Sequence, residues 1–407
     1  MLRPYGQRRV LLGISGGIAS YKSAWLARLL SQAGAEVDVV MTRAATEFVG
    51  AVTFEALTGR PVHTGLFDAG HALDHIRLAR AADVIVIAPA TADLMARAAT
   101  GQADDLLTAC LLAAECPVLV VPAMNDRMWA HAQTRANTAH LRELGYTVLD
   151  PDDGALAAGE GSGPGRMPEP ETIFAHVGRL LEASSPLAGR HVLVTAGPTR
   201  EALDPVRYLS NHSSGKMGVA IAAAAWRRGA AVTLVAGPLL VPAPHGIHVH
   251  QVETTHDMQA AVCAHAGEAD LLVMAAAPAD YRPSERAAGK LKKTGATRTL
   301  ELIETADILV TSRAQWKPGA VVVGFALETD DLLANAARKL ETKGLDMIVL
   351  NDANEAGAGF GVDTNRVTVL TRRGGEPERI PLMSKAAVAD AILDRAIALM
   401  PEPMDGR

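Results

Sequence analysis

The chain has 407 residues, 49% of them hydrophobic but only 4% aromatic, and a net charge of −6. That length exceeds what one core usually serves, so two domains of about 200 residues are expected, with cores of Ala, Val, Leu and Ile as in parallel α/β sheets. The charge leaves no basic footprint for nucleic acid, Cys110, Cys116 and Cys263 form neither a disulfide framework nor a CxxC metal motif, and the absence of a signal-type apolar run or of ~18 uncharged apolar residues anywhere points to a soluble cytoplasmic protein.

In chain order, RVLLGI is a strand that runs through the glycine turn GISGG into a helix, and AEVDVVMT is the second strand of a right-handed βαβ unit. Gly13, Ser15, Gly16 and Gly17 stand where bare backbone N–H groups and a helix dipole favour a phosphate. A tight turn without a ligand is the competing reading. The spacing is not GxGxxG and no acidic residue ends the second strand, which argues against NAD. His75, in ALDHIRLAR, is a candidate base or a capping or buried histidine. ADVIVIAPA and CPVLVVPA read as buried parallel strands whose carboxyl ends open onto loops, where ligands bind in such sheets. Those loops carry Thr91, Asp104, Asp105, Met124, Asn125 and Met128: hydroxyl and amide partners for the edge of an isoalloxazine, thioethers for its face. The stretch GALAAGEGSGPGRMPEP, 154 to 170, is too glycine-rich for a helix interior and reads as a loop. LEASSPLAG at 181 to 189 suits a linker, which sets the expected domains at 1–184 and 185–407.

The second half begins as the first does, with HVLVTAG, a long polar segment and the strand AAVTLVAG. The polar segment ends in Asn211-His212-Ser213-Ser214-Gly215-Lys216 at the start of an alanine-rich helix, offering backbone donors and a cation to an anion. GxxxxGK[ST] is absent, and a polar N-cap with a solvated lysine is the competing reading. ADLLVMAAAPADY, AVVVGFALET and LDMIVLND are further strands with polar tips at Asp280, Glu328, Asn351 and Asp352. RVTVLTRRG is expected to form half of a terminal hairpin before a closing helix from about residue 384 to 399.

PAMNDRMW, Pro122 to Trp129, and Gly163-Pro164-Gly165-Arg166-Met167 resemble the PxMNxxMW motif and the GxGRM flap of the homo-oligomeric, flavin-containing cysteine decarboxylases. The resemblance implies a flavodoxin-like domain holding FMN through Gly13, Ser15, Gly16, Gly17, Thr42, Thr91 and Asp104. It also implies His75 as base, Asn125 on the substrate carboxylate, and Met124, Met128, Arg166 and Met167 as further substrate contacts, with the loop at 154–170 folding over the substrate. A carboxylate beside a thiol-bearing carbon has no electron sink, so it leaves only once the thiol is oxidised to a thioaldehyde, which is the task of the flavin. Members that form pantetheine have a flap cysteine, in a pattern like LACG, as proton donor; here the residues are Leu156-Ala157-Ala158-Gly159. Retained oxidative decarboxylation with a final reduction impaired by Ala158 is therefore one alternative, and a flavin-binding regulatory protein another.

SNHSSGKMG resembles phosphopantothenate–cysteine ligases, and the order of the halves resembles the bifunctional decarboxylase–ligase family of bacterial coenzyme A biosynthesis, from about residue 8 to 400. The implied fold is α/β, two Rossmann-like domains, the second a ligase with a mostly parallel sheet. The implied reaction activates phosphopantothenate with CTP as an acyl-cytidylate, which the cysteine amine attacks. Cations and Mg²⁺ are needed to bring a carboxylate against a triphosphate. Lys290, in AGKLKKTG with Lys292 and Lys293, matches the lysine of activation, and Asn211 the residue that holds the acyl-cytidylate. Arg207, Asp280, Asp307, Ile308, Phe325, Lys339 and Lys343 match substrate and CTP contacts, Asp280 also a metal ligand. Two departures stand out: Pro278 where relatives read AAxVADY, and Glu304-Thr305-Ala306-Asp307-Ile308 where they often read KNPDI. A trimer-by-dimer homo-oligomer such as a dodecamer is implied as well.

Overall fold

The β-branched runs of the first half form six strands, β1 (Arg9–Ile14), β2 (Glu36–Met41), β3 (Val62–His63), β4 (Val84–Ala90), β5 (Val118–Pro122) and β6 (Thr147–Val148). The structure, a computed structural model, describes residues 5–67, 73–157, 159, 161–293, 297, 299–328, 331–352, 357, 359 and 361–401. It divides into two units, Met1–Glu182 and Ala183–Arg407. In the first, the sheet order is β3-β2-β1-β4-β5-β6, all parallel. Without the two-residue edge strand β3 this is the flavodoxin-like order, and with it the doubly wound Rossmann order; in both, the order reverses between β1 and β4. Alternate residues face opposite ways: Leu12, Val39 and Val86 meet helices Ser20–Gln32 and Pro170–Leu181, while Leu11, Val40 and Ile87 meet helices Ala92–Ala99 and Leu106–Leu112. Gly13 belongs to this packing. A Cβ there would fall 2.4 Å from Leu107 Cδ1, so the strand lies close beneath that helix.

The glycine-rich stretch is not a bare loop, as its composition suggests. Its ends form an antiparallel hairpin, β7 (Asp152–Ala155) with β8 (Ser162–Arg166). Glycine is costly in a strand, but Gly165 has φ +155 and a Cβ on it would sit 2.2 Å from the Met124 carbonyl oxygen. The close approach makes the residue necessary.

The second unit repeats the plan with β9 (His191–Ala196), a small hairpin of β10 (Arg200–Ala202) and β11 (Tyr208–Ser210), then β12 (Ala231–Ala236), β13 (His248–Gln251) and β14 (Leu271–Met274). A second small hairpin, β15 (Tyr281–Pro283) with β16 (Leu302–Glu304), precedes β17 (Val321–Glu328), β18 (Met347–Asp352), β19 (Thr364–Thr371) and β20 (Glu378–Ser384). The main sheet runs β13-β12-β9-β14-β17-β18-β19-β20, parallel up to β18 and antiparallel in the terminal hairpin. Its order reverses between β9 and β14. Met258, Val262, Leu272, Val322 and Ile348 form the core on one face, each such buried side chain contributing roughly 1.5–3 kcal/mol. Helices Lys216–Arg227 and Lys385–Leu399 cover the other, joined by Arg227 and Arg228 to Asp390. Neither small hairpin was expected from periodicity: strands of three residues are too short to show one.

Candidate functional sites in the two halves

In the first unit a cleft of about 430 Å³ opens at the switch point between β1 and β4. Gly16, Gly17, Thr91, Met124, Asn125, Met128, Arg166 and Met167 line it. Gly16 is required by proximity, since its Cβ would lie 2.4 Å from the Cβ of Ala44. Ser15 does not face the cleft. Its hydroxyl donates to the Pro89 carbonyl at 2.8 Å and accepts from the Thr91 N–H at 2.9 Å, fixing the β1 turn to the end of β4. Thr91 and Asn125 each cap a short helix, accepting from Leu94 N–H at 3.3 Å and Arg127 N–H at 2.9 Å. The Met124 N–H donates to the Gly165 carbonyl at 3.0 Å, so the hairpin's return strand rests on the loop that carries Asn125.

Besides Ser15, four expected residues stand apart from this cleft. Gly13 is in the strand; Thr42 caps helix Arg43–Thr46; Asp104 is exposed and paired with Arg97 at 3.0 Å. His75 lies on helix Asp74–Ala81, outside the cleft of the single chain, with its Nδ1 buried and without a hydrogen-bond partner among the described residues. Its neighbour Asp74 bridges His63 and Arg77, both at 3.0 Å. Ala158 lies outside the described residues.

Lys22 was missed. It is 7% exposed, lines the cleft, and donates to the Met167 carbonyl at 2.7 Å and to Glu169 Oε1 at 3.0 Å. Arg166 pairs with the same carboxylate. Partial burial works to raise the Glu169 carboxyl, but the hydrogen bond and charge of Lys22, then Arg166, hold it below the usual range. The signal in the sequence was weak: a lysine on the same helix face as Leu26 and Leu30, next to the small polar Ser23.

The second unit has two adjoining pockets at the carboxyl ends of its strands. The larger, about 420 Å³, is lined by Asp280, Asp307, Ile308, Phe325, Lys339 and Lys343 among others. Lys343 Nζ is 2.9 Å from Asp307 Oδ2, and Asp307 also caps helix Ile308–Ser312 through the Val310 N–H at 3.2 Å. Burial would raise this carboxyl, yet the lysine's hydrogen bond and charge lower it overall. The Thr305 N–H donates to the Asp280 carbonyl at 2.9 Å and the Thr305 hydroxyl to Ala279 at 2.6 Å, so the segment 304–308 folds onto the Asp280 loop. Asp280 comes well beyond β14, directly before β15, rather than at the strand's tip.

The smaller pocket, about 200 Å³, shares Ala276, Phe325 and Lys339 with the larger and is lined by Ser213 to Gly218, Asn351, Asn365 and Lys385. Gly215, at φ +76, opens helix Lys216–Arg227. Lys385, 6% exposed and missed in the sequence, donates to Gly359 and Val362 carbonyls at 2.7 and 2.6 Å. Burial and the nearby Lys216 push its ammonium below the usual lysine range. Asn211 lies beside this pocket and spans the next loop, its amide donating to the carbonyls of Ala277 at 3.2 Å and Pro278 at 2.9 Å. Arg207 and Lys290 line neither pocket; Arg207 is bound to Asp204, and Lys290 is exposed. Among the described residues no three His, Cys, Asp or Glu side chains are grouped to hold a metal ion.

Two family models match. Residues 2–182 fit the family described as Flavoprotein, and residues 187–400 the DNA/pantothenate metabolism flavoprotein C-terminal domain. The chain is 45% identical over 397 residues to the Coenzyme A biosynthesis bifunctional protein CoaBC of Vibrio vulnificus (strain YJ016), covering 97% of this chain and 98% of that one. To the protein of the same name from Mycolicibacterium smegmatis it is 47% identical over 418 residues, 98% and 99% of the two chains. A crystal structure of the C-terminal domain of a Coenzyme A biosynthesis bifunctional protein CoaBC aligns with 53% of this chain and 97% of its own, at 38% identity and a TM-score of 0.45.

Proposed function

The chain belongs to the family of bifunctional coenzyme A biosynthesis proteins, and from that premise we propose how its two halves divide the work. It is an enzyme acting on small molecules, with a flavoprotein decarboxylase half and a ligase half. The carboxyl half joins cysteine to 4′-phosphopantothenate through an acyl-cytidylate made from CTP. The amino half, with FMN, decarboxylates the product to 4′-phosphopantetheine. The full-length relatives carry the bifunctional name, which disfavours the impaired and regulatory alternatives.

The observation that carries the ligase reading is the pair of adjoining pockets sharing Phe325 and Lys339. CTP takes the larger, with Lys339 and Lys343 near its phosphates and Phe325 and Ile308 against apolar surface. The anionic substrate takes the smaller, at the start of helix Lys216–Arg227, where the helix dipole favours negative charge. The shared wall brings carboxylate and triphosphate together, which offsets much of the entropy of a two-substrate reaction. Asp280 suits Mg²⁺, which commonly takes one or two carboxylates plus substrate phosphates. Asn211 holds the acyl-cytidylate and Lys290 is the lysine of activation.

In the amino half the cleft suits a flavin mononucleotide: the backbone of the Gly16–Gly17 turn lines it, and thioethers of Met124 and Met128 offer a soft apolar wall. Thr42, Thr91, Ser15 and Asp104 are read as supporting that site. When bound, FMN supplies the two-electron oxidation and reduction that decarboxylation beside a thiol requires. Asn125 orients the substrate carboxylate, His75 takes the proton, and the β7–β8 hairpin with Arg166 and Met167 excludes water. Exposed Ile18, in the turn before helix Ser20–Gln32, and Tyr21, on that helix, line the cleft, and with exposed Trp25 one turn further along they support completion of this site by further copies in a homo-oligomer. No described helix is long and apolar enough to cross a membrane, and cytoplasmic residence is part of the proposal.

The test is pyrophosphate release that requires CTP, phosphopantothenate and cysteine together, from protein that is yellow with flavin absorbance. Lys290→Ala is expected to slow release by about two to three orders of magnitude, the usual effect of removing one charge-stabilising group. Release that proceeds without phosphopantothenate would overturn the ligase reading.

A further inference from the structure

Among the described residues of the second unit Asp204 is the most thoroughly hydrogen-bonded carboxylate, and it lines neither pocket. It lies in the turn between β10 and β11 with its side chain 0% exposed. Oδ1 accepts the N–H groups of Val206 and Arg207, both at 2.8 Å. Oδ2 accepts Arg207 Nε at 3.0 Å, Arg207 Nη2 at 2.6 Å and the Leu291 N–H at 3.1 Å. Burial alone would raise this carboxyl; the N–H groups of Val206 and Leu291 and the Arg207 guanidinium hold it far below the usual range, so it stays ionised.

The partners at Leu291 are the informative ones. Arg207 Nη2 also donates to the Leu291 carbonyl at 2.5 Å, so both polar groups of that peptide position are gripped by one ion pair. The Ala287 N–H donates to the Leu203 carbonyl at 3.0 Å, one residue before Asp204. Leu291 follows Lys290 directly, on the connection between β15 and β16. Tyr208–Ser210, which follows Arg207, leads without a break into Asn211. A single buried carboxylate therefore ties the backbone that carries Lys290 to the backbone that carries Asn211.

We infer that Asp204, acting with Arg207, is the positioning residue of the ligase half: it sets Lys290 relative to Asn211 and does not itself touch substrate. The inference rests on the reading of Lys290 as the lysine of activation. It also changes the expected part of Arg207 from a substrate contact to a strap. An exposed lysine on an untethered connection samples many positions, and holding it in one converts flexible encounter into pre-set geometry.

A double-mutant cycle tests this, using full-length protein and CTP-dependent pyrophosphate release. Asp204→Asn is expected to lower kcat about tenfold or more with Lys290 present, with KM for cysteine little changed. In the Lys290→Ala background the same substitution is expected to lower the residual rate less than twofold, because the group it positions is gone. Equal factors in both backgrounds would show that Asp204 acts on stability or elsewhere, and would overturn the inference. Should Asp204→Asn fail to fold, as judged by its thermal melt, Arg207→Gln replaces it in the same cycle: it cuts the bond to the Leu291 carbonyl and leaves the N–H groups on Asp204. A wild type that releases no pyrophosphate would remove the ligase reading and this inference together; an active wild type with additive effects removes this inference alone.

Discussion

At Asp307 a carboxylate read as a substrate contact is already engaged, by Lys343 at 2.9 Å and by its own helix. Its folded pKa is depressed, so the pair's contribution is present above the ordinary carboxylate value of about 3.9 and is lost as pH falls through the folded value. Both side chains are partly exposed, which limits the contribution to about 0–1 kcal/mol. Lys343→Ala should therefore move the Asp307 titration, followed by carboxyl NMR, upward toward the ordinary range with little change in Tm at neutral pH. An unmoved titration would mean that the lysine is not the cause. Ala158 poses a different question at the same scale. The bifunctional reading predicts that wild-type protein given CTP, phosphopantothenate and cysteine yields 4′-phosphopantetheine by mass spectrometry. Accumulation of the enethiol, relieved in Ala158→Cys, would restore the impaired alternative. Residue types in motifs could be picked out along the chain, but Lys22, Lys385 and Asp204 could not. Each is a charged residue that matters because a distant backbone carbonyl or N–H comes to meet it, and nothing local announces that partner.

The β7–β8 hairpin shows what element-level reasoning could and could not supply. Glycine content excluded a helix and marked the stretch, yet pairing required Ser162–Arg166 to find Asp152–Ala155 across the turn. Gly165 is where the hairpin meets the Met124 loop, and no side chain fits there. Gly165→Ala is expected to strain this contact by about 1–3 kcal/mol and lift β8 from the loop carrying Asn125. Decarboxylation of supplied phosphopantothenoylcysteine should fall at least tenfold while pyrophosphate release is unchanged. Loss of both activities would point to general misfolding instead. The small hairpins β10–β11 and β15–β16 make the same point in the other half: each three-residue strand pairs with its own partner, and the two connections are tied together through Asp204 and Leu291, with no periodic apolar face.

For the whole molecule, each unit has its own sheet and its own buried clusters, Leu12 and Val86 in the first, Leu272 and Val322 in the second. Expressed separately, residues 1–182 and 183–407 should each unfold cooperatively, the first carrying flavin absorbance and the second CTP-dependent pyrophosphate release. A carboxyl fragment that folds but releases none would show that the ligase half depends on its neighbour.

Strand after glycine turn after helix, twice over, was sufficient to establish two α/β units and the ends of the strands where ligands gather, because alternation, β-branching and glycine turns act over a few residues. Which side chains share a cleft was decided only by the fold. Gly16, Asn125 and Arg166 converge, and so do Asp280, Asp307 and Lys343, while His75, Arg207 and Lys290 stand outside those pockets in the single chain. That outcome depends on the order of strands across a sheet and on how a hairpin or strap is tethered, and those interactions join residues far apart along the chain.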